Sequence, residues 1–154
     1  MAGLDIKATR NAIKSVLDAA TITQDLAVYA YSPGPDPDIV TGSPAILIGH
    51  APGTDYRLTF GARGLAQLKL EIEIRCTSAD GVSAELALDD LLNAGTGATS
   101  SIFDALTADP TLGGVVGNSE LSDPTPPRPV RPGGAGPVAY WSASFTLTIY
   151  QPRS

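Results

Sequence analysis

Few residues of this 154-residue chain have side chains suited to catalysis, and none has an evident partner in the sequence. His50 is the only histidine and lies in the Gly/Pro-containing stretch 49–53, with no serine or cysteine motif nearby. A histidine that acts as a general base needs a positioned partner, so we expect His50 to be an exposed turn residue. Cys76 is the only cysteine and falls on the apolar phase of a predicted strand, which excludes an intrachain disulfide and predicts a buried thiol.

The acidic pairs do not have the pattern of a metal or acid–base site. Asp36 and Asp38 lie two residues apart among prolines, without the further oxygen ligands and central glycine of a Ca²⁺ loop. Asp89 and Asp90 are neighbours on a predicted helix and therefore point to different sides. No glycine-rich segment continues into the Gly-Lys-Ser/Thr sequence of a phosphate-binding loop. We therefore expect no catalytic residue, no metal and no cofactor.

Charge is unevenly distributed along the chain, whose net charge is -6. Residues 77–126 contain no Lys or Arg, and such a sector repels a nucleic-acid backbone. No apolar run approaches the ~20 residues of a membrane span, and the N-terminus lacks the regions of a signal peptide, so we expect a soluble protein made in the cytoplasm. The acidic residues between 77 and 126 are Asp80, Glu85, Asp89, Asp90, Asp104, Asp109, Glu120 and Asp123.

Hydrophobic periodicity predicts the elements that would position these residues. Apolar and polar side chains alternate over 67–76 and 139–150, which predicts two strands that each have one buried face. An amphipathic helix is predicted from Asp5, as N-cap, to about Ala20, and another over 82–93. Lys7, Arg10 and Lys14 are predicted to form a basic stripe on the first helix: either a solvated face or a contact for an acidic neighbour.

Shorter elements complete the pattern. Strands are predicted at 26–31, 45–48, 56–60 and 115–116, and a short helix near 102–106 is expected to end at Asp109-Pro110. Because grouped strands alternate with helices, we predict an α+β fold over 1–154: a single domain with a mostly antiparallel sheet packed against amphipathic helices.

Residues 122–137 interrupt the pattern with six prolines and three glycines. Prolines preclude regular hydrogen bonding, so a long Pro/Gly-rich protruding loop is predicted here. Arg128 and Arg131 lie beside overlapping P-x-x-P spacings, which also suit a polyproline ligand for an aromatic groove. A projecting loop of this kind can alternatively grip a neighbouring subunit.

The segment S-I-x-x-A-L at 101–106, followed by D-x-T-L-G-G at 109–114, resembles the tail terminator (tail completion) proteins of long non-contractile-tailed phages. The order of the other segments is similar as well: an N-terminal amphipathic helix, the strand that contains 28–31, the segment 44–48, the residues 56–60, the long alternating strand, the helix around 88–92 and the aromatic closing strand. The loop at 122–137 departs from the family pattern.

This resemblance implies a structural virion protein that forms a six-fold ring, caps the tail tube and joins it to the head connector. Its implied partners are further copies of itself, the tail tube protein and the connector, with DNA passing through unbound at the head-proximal end of the tail. A head-closure or stopper ring protein is the alternative, and a small-molecule binding domain or a small hydrolase is the alternative from another class. Candidate interface residues are Lys7, Arg10, Lys14, Arg128 and Arg131. Candidate channel-lining acids are Glu85, Asp89, Asp90, Asp104 and Asp109.

Overall fold

The computed structural model describes residues 3–20, 26–31, 44–56, 64–77, 81–94, 101–134, 136 and 138–152. The predicted strand 56–60 after its first residue, the Asp36 and Asp38 pair, and Asp80 lie outside these ranges. Within them the chain forms α1 (Ile6–Ala19), β1 (Ala27–Tyr29), β2 (Ala45–His50), β3 (Leu65–Cys76), α2 (Gly81–Leu92), α3 (Ile102–Ala108), β4 (Asn118–Leu121), β5 (Arg128–Val130) and β6 (Tyr140–Pro152).

One sheet contains all the described strands, in the order β1-β2-β3-β6-β4, with β5 also paired to β6. β1 runs parallel to β2, whereas the other pairings are antiparallel. The α+β class is confirmed, but the sheet is mixed and not the mostly antiparallel one that was expected. A parallel pair needs a crossover of a dozen or more residues, and the connection from β1 to β2 is long enough to provide one. β1 and β2 can therefore pair in parallel.

The core lies between the helices and one face of the sheet. Along β3 every second side chain is buried, as the alternation predicts. Phe145, Leu147 and Ile149 of β6 face the same side, opposite Ile72, Leu70 and Leu68 of β3. Ile13 and Leu17 of α1 join this cluster, together with Leu88 and Leu91 of α2 and Ile102 and Leu106 of α3.

Side chains cap the N-termini of α1 and α3, and the cap at Asp5 is the one predicted from the sequence. The Asp5 carboxylate accepts a hydrogen bond from the Ala8 amide at 2.9 Å, and the Ser101 hydroxyl accepts one from the Asp104 amide at 3.2 Å. These side chains satisfy amide groups that have no partner within their own helix. None of the helices in the described ranges is long and apolar enough to cross a bilayer.

Residues 122–130 differ from the prediction of an unbonded protruding loop, because they run along the edge of β6. The amides of Ser122 and Thr125 donate to the carbonyls of Thr146 and Ser144, both at 2.9 Å. In return, the amides of Thr146 and Ser144 donate to the hydroxyls of Ser122 and Thr125. Side-chain oxygens thus replace backbone acceptors, and β5 tolerates its proline because it is an edge strand.

A tight turn follows α3 where the sequence predicts a strand at 115–116. Leu112, Gly113 and Gly114 all have positive φ, of 50°, 73° and 86°. This left-handed run reverses the chain, so Val115 is exposed, Val116 is buried, and strand pairing begins only at Asn118. The predicted strand at 115–116 is therefore wrong, and the two glycines adopt a positive φ that a residue without Cβ takes up readily.

The pairing of β3 with β6 predicts a severe effect of a charge in the core. Ile72→Asp or Phe145→Asp places a carboxylate at a cross-strand pair whose members are 0% and 1% exposed. An uncompensated buried charge costs several kcal/mol, so we expect loss of cooperative unfolding in urea. Thr148→Asp, on the outer face between Lys69 of β3 and Glu120 of β4, is the control and should unfold nearly as the parent does. Cooperative, parent-like unfolding of the core variants would contradict the core assignment.

Candidate functional site

The two residues with the most reactive side chains lie apart from any catalytic arrangement. His50 is exposed as expected, but it is the last residue of β2 and not a turn residue, because strand pairing with β3 continues to it. Cys76 ends β3, and burial raises the pKa of its thiol, which disfavours the nucleophilic thiolate. In the described parts of the chain, no three His, Cys, Asp or Glu side chains are grouped closely enough to hold a metal ion.

Arg10 does not belong to an exposed basic stripe, although the helical spacing predicts one. Its side chain is only 9% exposed and lies across the edge of β2, where a guanidinium nitrogen donates to the Ile48 carbonyl at 2.5 Å. β1 covers β2 only as far as Leu47, so this contact satisfies an edge carbonyl beyond β1. The guanidinium also lies 4.3 Å from the centre of the Tyr31 ring, a cation–π distance.

The other two members of the predicted stripe remain at the surface. Lys7 is exposed. Lys14 pairs with Asp18 one helical turn on, and their side chains are 43% and 46% exposed. Exposed pairs of this kind contribute little to stability. Lys7 therefore remains a candidate for a contact with another chain, Lys14 is partly committed, and Arg10 is a structural residue.

A small cavity of about 230 Å³ opens beside Arg10, between β2 and β3. Glu73 and Arg75 in its wall are paired at 2.9 Å, and this hydrogen bond is the main reason why the pKa of Arg75 is raised. Ser142 also donates to Glu73 at 3.1 Å. Glu73, Arg75 and Ser142 bond to one another, whereas the buried Nε of Arg10 in the same wall has no hydrogen-bond partner among the described residues. Because the volume lies below the ~300 Å³ at which ligand pockets begin, the cavity gives no support to a small-molecule site.

The candidate channel-lining acids fall into two groups. Glu85, Asp89 and Asp90 are exposed on α2. Asp104 is only 8% exposed, and Asp109 closes the turn after α3. The structure therefore places three of the five acids on the exposed part of α2, where Asp89 and Asp90 lie in different rows but are both outside the core. It places the other two in the local packing of α3.

Asp109 holds its turn through both carboxylate oxygens. One accepts from the Thr111 amide at 3.0 Å and from the Thr111 hydroxyl at 2.6 Å, and the other accepts from the Gly113 amide at 2.8 Å. These hydrogen bonds, led by that from the Thr111 hydroxyl, lower the pKa of Asp109. The carboxylate thereby stabilises the positive φ of Leu112 and Gly113.

Two apolar side chains on the outer side of α2 were not predicted from the sequence. Val82 and Leu86 are 65% and 60% exposed, although buried Ala84, Leu88 and Leu91 already form the inner side. The four-residue spacing of 82, 86 and 90 places Val82 and Leu86 in one row that ends at Asp90. This four-residue spacing places two apolar residues on the side of the helix that was predicted to be polar. It was the signal in the sequence from which their exposure could have been predicted.

Arg128 and Arg131 line a surface groove of about 350 Å³ together with Pro129, Val130 and Gly134. Both arginines are exposed, and the groove is built by β5 and the turn Pro132–Gly134 that follows it. β5 is fixed against β6 by strand pairing, and the Ala139 amide bonds to the Val130 carbonyl at 2.9 Å. The two candidate interface arginines are therefore close together on a bonded edge of the sheet.

Comparison of the chain with protein-family models and with curated proteins finds no match.

Arg10 is expected to contribute more to stability than an exposed cation of the same helix. Arg10→Met keeps the apolar stem but removes the hydrogen bond to Ile48, and hydrogen bonds of charged groups contribute about 1.5–3 kcal/mol. We expect a loss near this size in urea unfolding. Lys14→Met is the control and should change stability by less than about 1 kcal/mol. Equal small losses for the two variants would contradict the structural role of Arg10.

The turn at Asp109 predicts a dependence on pH. Because folding lowers the pKa of this carboxyl below its ordinary value of 3.8, its contribution is present above that value and is lost as the pH falls through the lowered one. Asp109→Asn should therefore lower the melting temperature at neutral pH, and the gap to the parent should narrow in acid. A gap that stays constant across the acid range would contradict the ionised role of Asp109.

Proposed function

We propose that this chain is the subunit of a structural ring that terminates the tail tube of a long-tailed phage and joins it to the head connector. The observation that carries the ring is the outer surface of α2, where Val82 and Leu86 are largely exposed beside three acids. The assignment to a tail terminator comes from the resemblance of 101–106 and 109–114, with the other segments in the same order.

The local structure of the resembling segment supports a structural role. Its serine caps α3, its Asp109 closes the following turn, and Leu112 anchors that turn in the core at 2% exposure. Each side chain of the segments 101–106 and 109–114 that makes a described contact stabilises the fold of this chain. This is the use expected of an assembly protein, whose surfaces and not its reactive groups carry the function.

The properties of the reactive side chains favour assembly over catalysis. His50 is exposed at a strand end, and Cys76 is buried with a raised pKa. Neither has the hydrogen-bonded partner that nucleophilic catalysis requires within the described residues. A passage for DNA through a ring of such subunits is favoured by the acidic composition of 77–126, since a surface without cations gives phosphates no site for contact.

Native mass spectrometry of the purified chain over a micromolar concentration series tests this proposal. We expect a particle near six times the chain mass of 15.8 kDa, seen by electron microscopy as a ring with a central opening. The particle should not retain DNA on a gel at low salt. A monomer or a dimer at every concentration would exclude a ring subunit. Binding of the rings to filled heads but not to tail tubes would favour the stopper protein over the terminator.

A further inference from the structure

The outer side of α2 combines apolar and acidic groups in adjacent rows. We call Val82, Glu85, Leu86, Asp89 and Asp90 the α2 patch. Val82 and Leu86 follow one another by four residues, and so do Glu85 and Asp89, so the apolar row and the acidic row run side by side. An amphipathic helix ordinarily presents polar residues on its solvent side, so two exposed apolar side chains depart from that pattern. The inner side is covered by the sheet and α3, and the outer side is largely exposed in a single chain.

The groove formed by Arg128, Pro129, Val130, Arg131 and Gly134, which we call the Arg groove, has the complementary chemistry. It offers about 350 Å³ of space with apolar Pro129 and Val130 in its wall and two arginines at the surface. Its backbone is held by β6, so the groove is formed before any partner arrives. A preformed site avoids the cost of ordering a loop on binding.

Neither surface is neutralised by the residues that the structure describes. In the described ranges, no Lys or Arg nitrogen lies within 4.0 Å of the carboxylates of Glu85, Asp89 and Asp90, and no carboxylate lies that close to Arg128 or Arg131. Over the whole sequence, the stretch 77–126 that contains the α2 patch has no cation at all. The Arg groove of another copy of the chain offers the charge and the space that the α2 patch would fit.

We propose that the α2 patch of one copy docks into the Arg groove of the next copy, with Leu86 entering the groove and Glu85 and Asp89 pairing with Arg128 and Arg131. Arginine forms bidentate hydrogen bonds with carboxylates, which fixes orientation as well as charge. Since the two surfaces are different parts of the molecule, the contact is heterologous and repeats from copy to copy until a ring closes. This inference rests on the proposed ring and identifies the contact that builds it.

The inference also changes the role of the α2 acids. As channel-lining residues they would stay hydrated, and Val82 and Leu86 would remain in water beside them. At an interface, the same acids pair with arginines while the two apolar side chains leave water, which is the favourable direction for both groups. The geometry of α2 therefore favours the interface over the channel for Glu85 and Asp89.

Charge reversal on each side of the contact provides the test. Variant one carries Glu85→Lys and Asp89→Lys, and variant two carries Arg128→Glu and Arg131→Glu. Each variant alone opposes like charges at every interface, so we expect it to need at least about tenfold more protein than the parent to form rings. A one-to-one mixture restores opposite charges at every contact and should form rings that contain equal numbers of the two chains.

Two matched controls separate this contact from a general effect of charge. Glu120→Lys with Asp123→Lys makes the same change in net charge as variant one at exposed acids outside the α2 patch. Lys7→Glu with Lys14→Glu makes the same change as variant two at the two exposed candidate interface cations of α1. The proposed docking does not use these lysines, so we expect both controls to form rings as the parent does; a lysine variant that loses rings as strongly as variant two would contradict the docking. All variants change surface residues, and unchanged melting temperatures will show that they are folded.

Cross-linking tests the direction of the contact. Leu86→Cys with Val130→Cys in one chain should give, on oxidation, a ladder of disulfide-linked species up to the closed ring. A mixture of the two single-cysteine variants should stop at dimers, because each chain then has one cysteine at the contact. The native Cys76 is buried and does not compete. A double variant that also stops at dimers would show a reciprocal pair and would exclude the ring.

The other outcomes are distinguishable. If the parent forms rings and both charge-reversed variants form them equally well, the docking is wrong and the ring stands. If variant one forms rings that retain DNA at low salt, the α2 acids line the channel and the docking is wrong. If variant one forms rings that fail to join tails, the α2 patch binds another virion protein. A parent chain that stays monomeric would instead overturn the proposed function.

Discussion

The pairing of β3 with β6 is the interaction on which the rest of the structure depends. The two strands are in register over twelve pairs, from Leu65 opposite Pro152 to Cys76 opposite Trp141. Their alternating patterns are in phase, so the apolar side chains of both strands lie on one face. A slip by one residue would expose all the apolar side chains of one strand to water. Burial of these side chains therefore strongly specifies the register. The helices cover this face, β2 extends the sheet from β3, and β4 and β5 extend it from the other edge of β6.

Most of the elements are predictable because their signals are local. The alternation of β3, the capping of α1 by Asp5 and the end of α3 at Asp109 require only neighbouring residues to be read correctly. One error is local, since the left-handed run 112–114 replaces the strand predicted at 115–116. The other errors concern contacts between distant parts of the chain. The hydroxyls of Ser122 and Thr125 replace backbone acceptors only because β6 lies beside them. Arg10 is buried because its guanidinium bonds to the Ile48 carbonyl, which lies past the last residue of β2 that β1 pairs with. The mixed sheet likewise depends on a pairing that the sequence does not encode locally.

The edges of the sheet help to explain why assembly would use other surfaces. β4, the residues after it and β5 bond to nearly the whole free edge of β6. On the opposite side, β1 and the guanidinium of Arg10 occupy part of the β2 edge. Proteins commonly block their edge strands to prevent uncontrolled pairing with other chains. A ring built through the α2 patch and the Arg groove is compatible with this protection, because the contact uses side chains and leaves the strand edges as they are.

The burial of the α2 patch on assembly is the central claim, and hydroxyl-radical footprinting measures it directly. Samples of the same chain at low concentration and at a concentration that gives rings are labelled and compared at Leu86 and Val115, both exposed in the single chain. Oxidation of Leu86 should fall strongly on assembly while that of Val115, which lies outside both docking surfaces, serves as the internal reference. Equal oxidation of Leu86 in monomers and in assembled particles would contradict the claim.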